Sequence, residues 1–126
     1  MLSTGVDILA IPRVETALKK FGDRFLARCF SPMEIRMSRG HASEYAARYA
    51  AKEAVSKTLG VGLRLMARNG IHFHDVEILN DRFGKPYVVL HNWAKERAEE
   101  LGLKEWSVSL THEREYAIAF VVALGA

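Results

Sequence analysis

The chain has 126 residues, 49% of them apolar and 26% charged, with a net charge of +3. This is enough for one domain with its own core, taken here as residues 1–126, and it excludes a disordered or fibrous chain. The one cysteine, Cys29, excludes an internal disulfide and fits a reducing cytoplasm; no signal peptide or bilayer-spanning run is visible, so no membrane partner is expected.

Ser3 to Leu9 reads as a first strand, apolar except for Asp7. Aspartate is depleted in strands, and a carboxylate there needs a cation or metal to offset its desolvation. Pro12 then opens a helix over 13–21, with Val14, Ala17, Leu18 and Phe21 at helical spacing. A shorter helical piece covers 23–28. Ser31-Pro32-Met33-Glu34 is a capping box that starts another short helix. The longest helix is expected over 42–59, capped by Ser43 and stopped by Gly60. It carries Arg48, Lys52, Glu53 and Lys57, so its acid is flanked by cations. Ala46 and Ala50 share a sector with Glu53 and would leave room for a ligand above it. Glu53 and Lys57 also read as a surface i,i+4 pair, which contributes only a few tenths of a kcal/mol. Arg64 and Arg68 follow in a stretch with no assignable pattern.

Beyond residue 70 the period changes to two. Ile71 to Asn80 alternates as one strand, Asn80 to Pro86 supplies turn residues, and Tyr87 to Leu90 returns as the hairpin partner. A helix is expected over 92–101, ended by Gly102. Two closing strands, 106–110 and 116–124, meet at a connection spanning Thr111 to Glu115. The expected class is α+β, with helices packed on an antiparallel sheet to which the first strand returns.

Charge is uneven along the chain. Residues 1–69 carry 12 Lys+Arg against 6 Asp+Glu, and residues 70–126 carry 6 against 9. A basic half points to an anionic partner: nucleic acid, an acidic protein or a phosphorylated cofactor. Phe21, Phe25 and Phe30 within it are compatible with a nucleic-acid surface, but they fall at helical spacing, as core residues do. Asp7 and Glu53, with Lys57 and Arg48 nearby, suit a hard divalent metal holding a phosphorylated ligand, in a transferase or a magnesium-dependent phosphohydrolase. His72 and His74 occupy one face of the expected strand without a third ligand, so they read as exposed surface. His112 stands in the last connection, where a phosphate contact, a proton-handling role and a plain turn role all remain open.

Four segments occur in order: Gly5-Val6-Asp7-Ile8, the helix Arg48 to Lys57 with Lys52-Glu53-Ala54, Phe83-Gly84-Lys85-Pro86, and Ser109-Leu110-Thr111-His112. Together they resemble the small, single-domain bacterial holo-[acyl-carrier-protein] synthases, which are 4'-phosphopantetheinyl transferases. The resemblance implies transfer of the phosphopantetheine arm of coenzyme A to a serine of apo acyl carrier protein, releasing 3',5'-ADP. It implies a homotrimer with coenzyme A between subunits, and magnesium on Asp7 and Glu53. Glu53, Asp7 and Lys57 would be the catalytic residues, with Glu53, or a metal-bound water it orients, as base. Arg48, Lys57, Gly60, Gly84, Lys85, Pro86 and His112 would contact coenzyme A. Arg13, Lys20, Arg24 and Arg28 would dock the acidic carrier, with no nucleic acid involved. The chain departs from the pattern at Glu113, where a small hydroxyl residue is usual, and at Gly60-Val61-Gly62, where Gly-Thr-Gly is common.

Overall fold

The computed structural model describes residues 1–63 and 70–125. Arg64 and Arg68 lie outside the described residues. The elements run β1 (Leu2–Ala10), α1 (Ile11–Phe21), α2 (Asp23–Cys29), α3 (Pro32–Ser38) and α4 (Ala42–Thr58). A 3-10 turn (Phe73–Asp75) leads into β2 (Val76–Asn80), β3 (Pro86–Leu90), α5 (Asn92–Leu101), β4 (Leu103–Glu113) and β5 (Tyr116–Gly125). The main sheet has the order β1-β5-β4 and is antiparallel throughout; β2 and β3 form a separate hairpin. The α+β class, and the return of the first strand to the closing sheet, are as the sequence leads one to expect.

Helix α4 lies across the inner face of the main sheet. In β1 the two-residue period puts Gly5, Asp7 and Leu9 on that face and Val6 and Ile8 on the other. Ala46, Ala47, Ala50, Ala51 and Ala54 are all buried along α4. Small residues on the helix and glycine on the strand let the two backbones come close. Ala46 and Ala50 therefore serve packing, and they do not open space above Glu53 as their size suggested. The outer face of the sheet stays open and apolar: Leu2, Val6, Ile8, Tyr116, Phe120 and Leu124 are exposed.

The other flank of α4 is pinned by a buried ion pair. Lys52 Nζ donates to Glu34 Oε1 at 2.8 Å and to the carbonyls of Phe73 and Val76 at 2.8 and 2.7 Å. Glu34 also accepts from Ser31 N and Ile78 N. All of these acceptors and donors are satisfied, which is the condition under which a buried pair is tolerated; losing one partner typically costs about 3–5 kcal/mol. The capping box at Ser31 and Glu34 is formed as expected, and its acid does double duty as the partner of Lys52.

Four local expectations need correction. Residues 71–80 are not one strand, because Asp75 is buried and its carboxylate accepts from His72 N, turning the chain before β2 begins. His72 and His74 are accordingly not on a strand face; His74 Nε2 lies 2.7 Å from the carbonyl of Ala27. Helix α4 begins at Ala42 with His41 in the cap position, so Ser43 falls inside its first turn. Strands β4 and β5 run on to Glu113 and from Tyr116, so His112 belongs to β4, paired with Ala117, and the connection shrinks to Arg114 and Glu115.

Candidate active site

Asp7 faces α4 because strand alternation puts it there, and the end of α4 brings Lys57 over it. Lys57 Nζ lies 3.1 Å from Asp7 Oδ1 and donates to the carbonyl of Val6 at 3.0 Å. The expected i,i+4 pair is thus replaced by a bridge from helix to strand. Glu53, one turn earlier and half-buried, makes no side-chain hydrogen bond or ion pair among the described residues. Burial holds its carboxyl above the ordinary value, the charge of Asp7 adds to that, and Lys57 opposes it. Two acids and one cation therefore meet at the seam of β1 and α4, with one acid left uncompensated.

Such a pair fits a hard divalent cation. No cluster of three or more His, Cys, Asp or Glu that could hold a metal is present among the described residues, so the candidate ligands here are the two carboxylates. Magnesium binds in that way, through one or two carboxylates with waters and substrate phosphates completing the shell. Asp7 and Glu53 are the residues that would hold it.

Other expected site residues are placed elsewhere. Arg48 is buried on the β2 side of α4, where its Nε donates to the carbonyl of Ile78 at 3.1 Å and one guanidinium nitrogen has no partner among the described residues. Lys52, next to Glu53 in sequence, points away to Glu34. Of the cations expected around Glu53, Lys57 alone among the described residues turns to this seam, and it pairs there with Asp7 and not with Glu53. Gly60 ends α4 at φ +74°, where a side chain would be strained, and Arg97 Nε donates to the neighbouring Leu59 carbonyl. Gly84, Lys85 and Pro86 form the tip of the β2–β3 hairpin, held by Asp81 Oδ1 accepting from Phe83 N and Lys85 N. Among the described residues, no hydrogen bond or ion pair joins that tip to Asp7 or Glu53. His112 lines a cavity of about 510 Å³ at the end of the sheet, with Ile8, Thr111, Glu113, Arg114, Glu115, Tyr116 and Ile118.

A second groove, of about 330 Å³, opens between α1 and α2, with Tyr49 of α4 on its wall. Ala17, Phe21, Arg24, Phe25, Arg28 and Tyr49 line it. Arg13 lines the adjoining hollow, which shares Phe25 and Tyr49; Lys20 is exposed on α1 but lines neither. Phe30 is core as its spacing indicated, whereas Phe21 is 54% exposed at the groove's rim. Cys29 is buried, and burial, against Lys52 and Arg28, pushes its thiol up to about 11, so it is packing material and not a nucleophile. Tyr49 is the site residue that sequence reading missed. It stands one helical turn before Glu53, and its ring packs 5.1 Å from that of Phe73. Burial first, then Cys29 and Glu53, push its hydroxyl up to about 12. Its i−4 spacing from Glu53 was the available signal.

An acidic pair with one cation in reach of it, at a helix–sheet seam, suits a hard divalent cation and the phosphates such a cation would hold. A profile of the 4'-phosphopantetheinyl transferase superfamily matches residues 3–121. The holo-[acyl-carrier-protein] synthase of Herpetosiphon aurantiacus is 45% identical over 127 residues, covering 99% of this chain and 100% of the relative. That of Koribacter versatilis is 41% identical over 125 residues, covering 97% of each. Among solved structures, Helicobacter pylori holo-[acyl-carrier-protein] synthase in complex with coenzyme A is similar with a TM-score of 0.84 at 34% identity, covering 96% of this chain and 99% of that one. The chain belongs to the 4'-phosphopantetheinyl transferase superfamily and, within it, to the holo-[acyl-carrier-protein] synthases.

Proposed function

We propose that the chain transfers the 4'-phosphopantetheine arm of coenzyme A to a serine of apo acyl carrier protein, giving holo carrier and 3',5'-ADP. The observation that carries this reading is the meeting of Asp7, Glu53 and Lys57 at one seam, in a chain of this family. Coenzyme A in the complex from Helicobacter pylori supports it as the donor. Magnesium on Asp7 and Glu53 would neutralise the pyrophosphate of the donor. The remaining chemistry falls to the chain's own side chains. Glu53, with its carboxyl held above the ordinary value, takes the proton of the serine hydroxyl. The serine oxygen then bonds to the phosphorus bearing the pantetheine arm, and the bond from that phosphorus to the bridging oxygen breaks. Lys57, on a half-exposed stem, sets its charge against the leaving phosphate.

Three further elements belong to the reading. The groove between α1 and α2, with Arg24, Arg28 and nearby Arg13, receives an acidic surface of the carrier. The exposed apolar face of the sheet is covered by neighbouring copies in a homotrimer. Ile8, Tyr116 and Ile118 both belong to that face and line the cavity of His112, so a neighbour seated there would close the cavity into an intersubunit cleft for coenzyme A. Lys85 and the Gly84–Pro86 tip supply further contacts to the nucleotide. A reducing cytoplasm fits the buried free thiol of Cys29.

The deciding experiment is mass spectrometry of a purified apo acyl carrier protein incubated with this protein, coenzyme A and magnesium. A carrier heavier by one phosphopantetheine group on its serine is the expected result. An unmodified carrier, with coenzyme A hydrolysed instead, would replace the transferase reading with a phosphohydrolase.

A further inference from the structure

Lys57 and Lys52 are both lysines of α4, yet their surroundings differ in a way that bears on the site. Lys52 is fully buried and its ammonium donates to three fixed acceptors. Lys57 is 52% exposed, and its ammonium holds only Asp7 Oδ1 at 3.1 Å and the Val6 carbonyl at 3.0 Å, both on β1. The first ammonium is locked in place. The second sits on a half-exposed stem, and it occupies the carboxylate that a divalent cation would need. Glu53, four residues earlier and closer along the helix, is left without it.

We propose that Lys57 is an exchangeable counter-ion: it and a divalent cation compete for Asp7, and the displaced ammonium passes to the phosphates of the donor, so that cation and nucleotide each strengthen the binding of the other. The inference rests on Asp7 and Glu53 being the metal ligands. A cation on a carboxylate oxygen stands about 2.0–2.1 Å from it. An ammonium 3.1 Å from the same oxygen would then lie beside a doubly charged ion in a partly buried site, where like charges repel strongly. Lys57 leaves Asp7 under that repulsion. A diphosphate bound against the cation offers new acceptors within reach of the same stem, and a charge-assisted contact to phosphate replaces the one given up. A nucleotide arriving first must draw Lys57 off Asp7 and leave that acid uncompensated, so it binds less well alone. Linkage makes the effect reciprocal.

The test measures binding, with Mn2+ as the probe and no carrier protein present, so that no turnover occurs. Mn2+ affinity is read by electron paramagnetic resonance, with and without coenzyme A, for the wild type, Lys57→Met and Lys57→Arg. Lys57→Met binds Mn2+ alone about fivefold or more tighter than wild type, and the tightening that coenzyme A gives wild type falls to less than about twofold in this variant. Lys57→Arg binds Mn2+ alone more weakly than wild type, because a guanidinium grips a carboxylate through two hydrogen bonds. A merely screening role for residue 57 would leave Lys57→Arg equal to wild type, and that outcome overturns the proposal. So does equal Mn2+ affinity for Lys57→Met and wild type. Asp7→Ala separates the two levels of inference. If it leaves wild-type Mn2+ affinity unchanged, the metal reading of Asp7 fails and the exchange falls with it; if it abolishes binding while Lys57→Met changes nothing, only the exchange fails.

Discussion

Gly5 on β1 lies directly beneath Ala54 on α4, so close that a Cβ built on Gly5 would stand 2.0 Å from the Ala54 carbonyl oxygen and 2.5 Å from Thr58 Oγ1. The obstacle is helix backbone, which cannot move aside as a flexible side chain can. This contact sets the distance between strand and helix, two residues from Asp7 on one side and one residue from Glu53 on the other. Gly5→Ala should therefore lower stability by about 1–3 kcal/mol or more. It should also reduce transfer activity in the folded fraction, because the helix must lift away from the strand that carries Asp7. Thermal unfolding and steady-state kinetics on the same preparation check both effects; unchanged melting would mean that the backbones are not pressed together here.

The acidic pair should act as one unit. Asp7→Ala and Glu53→Gln should each lower transfer by at least about a hundredfold with little loss of melting temperature, since among the described residues Glu53 makes no side-chain hydrogen bond or ion pair and the one partner of Asp7, Lys57, is half-exposed. The double variant should be little worse than either single one. Additive losses in kcat/KM would show two independent functions instead of a shared cation.

The basic groove should serve encounter with the carrier. Arg24→Glu should lower kcat/KM for the carrier about five- to tenfold while leaving the KM for coenzyme A unchanged. Salt should weaken the wild-type reaction in the same direction, because exposed charges are screened beyond about 8 Å at physiological ionic strength, and the variant should respond less. Kinetics at two salt concentrations measure this.

Acid should loosen the far side of the domain. Glu77 accepts from Ser31 Oγ at 2.6 Å and lies 2.8 Å from His91 Nε2, tying the start of α3 to β2 and to the start of α5. Burial alone would raise its carboxyl, yet the hydrogen bonds from Ser31 and His91 prevail and hold it below its ordinary value of 4.5. A depressed folded value gives stability that is present above the unfolded value and lost as pH falls below it. Wild type should thus lose stability on acidification below about pH 4.5. Glu77→Gln should be about 1–2 kcal/mol less stable at pH 7 but should lose less on acidification. Denaturant titrations at pH 7 and pH 4 compare them.

The open apolar face should govern assembly. Phe120 is 44% exposed at the centre of the outer sheet, paired across from Val6 and Ser109. Phe120→Glu should convert a trimer to monomers, seen as a fall in mass by light scattering, and should weaken coenzyme A binding with the cleft. A wild-type protein that is already monomeric would remove the intersubunit cleft from the reading.

Local rules made much of this chain legible from its residues. The capping box at Ser31, the stops at Gly60 and Gly102 and the hairpin at Asn80 to Pro86 all depend on nearest neighbours along the chain, and all are found. The Gly-x-Asp and Lys-Glu-Ala segments likewise marked the family, because the chemistry of the site is concentrated in them. Only the tertiary structure decided which way each cation of α4 points. Arg48, Lys52 and Lys57 look alike as flanking charges in sequence, yet two are buried on the β2 side and one reaches β1. Their directions follow from where α3, the β2–β3 hairpin and β1 press on the helix, contacts made across 18 to 51 residues of chain. The same holds for Asp75, whose burial bends an apparently continuous strand, and for Ala46 and Ala50, whose small size answers to the sheet beneath them and not to a ligand above. Periodicity tells which residues share a face; what that face meets is settled by packing between distant segments.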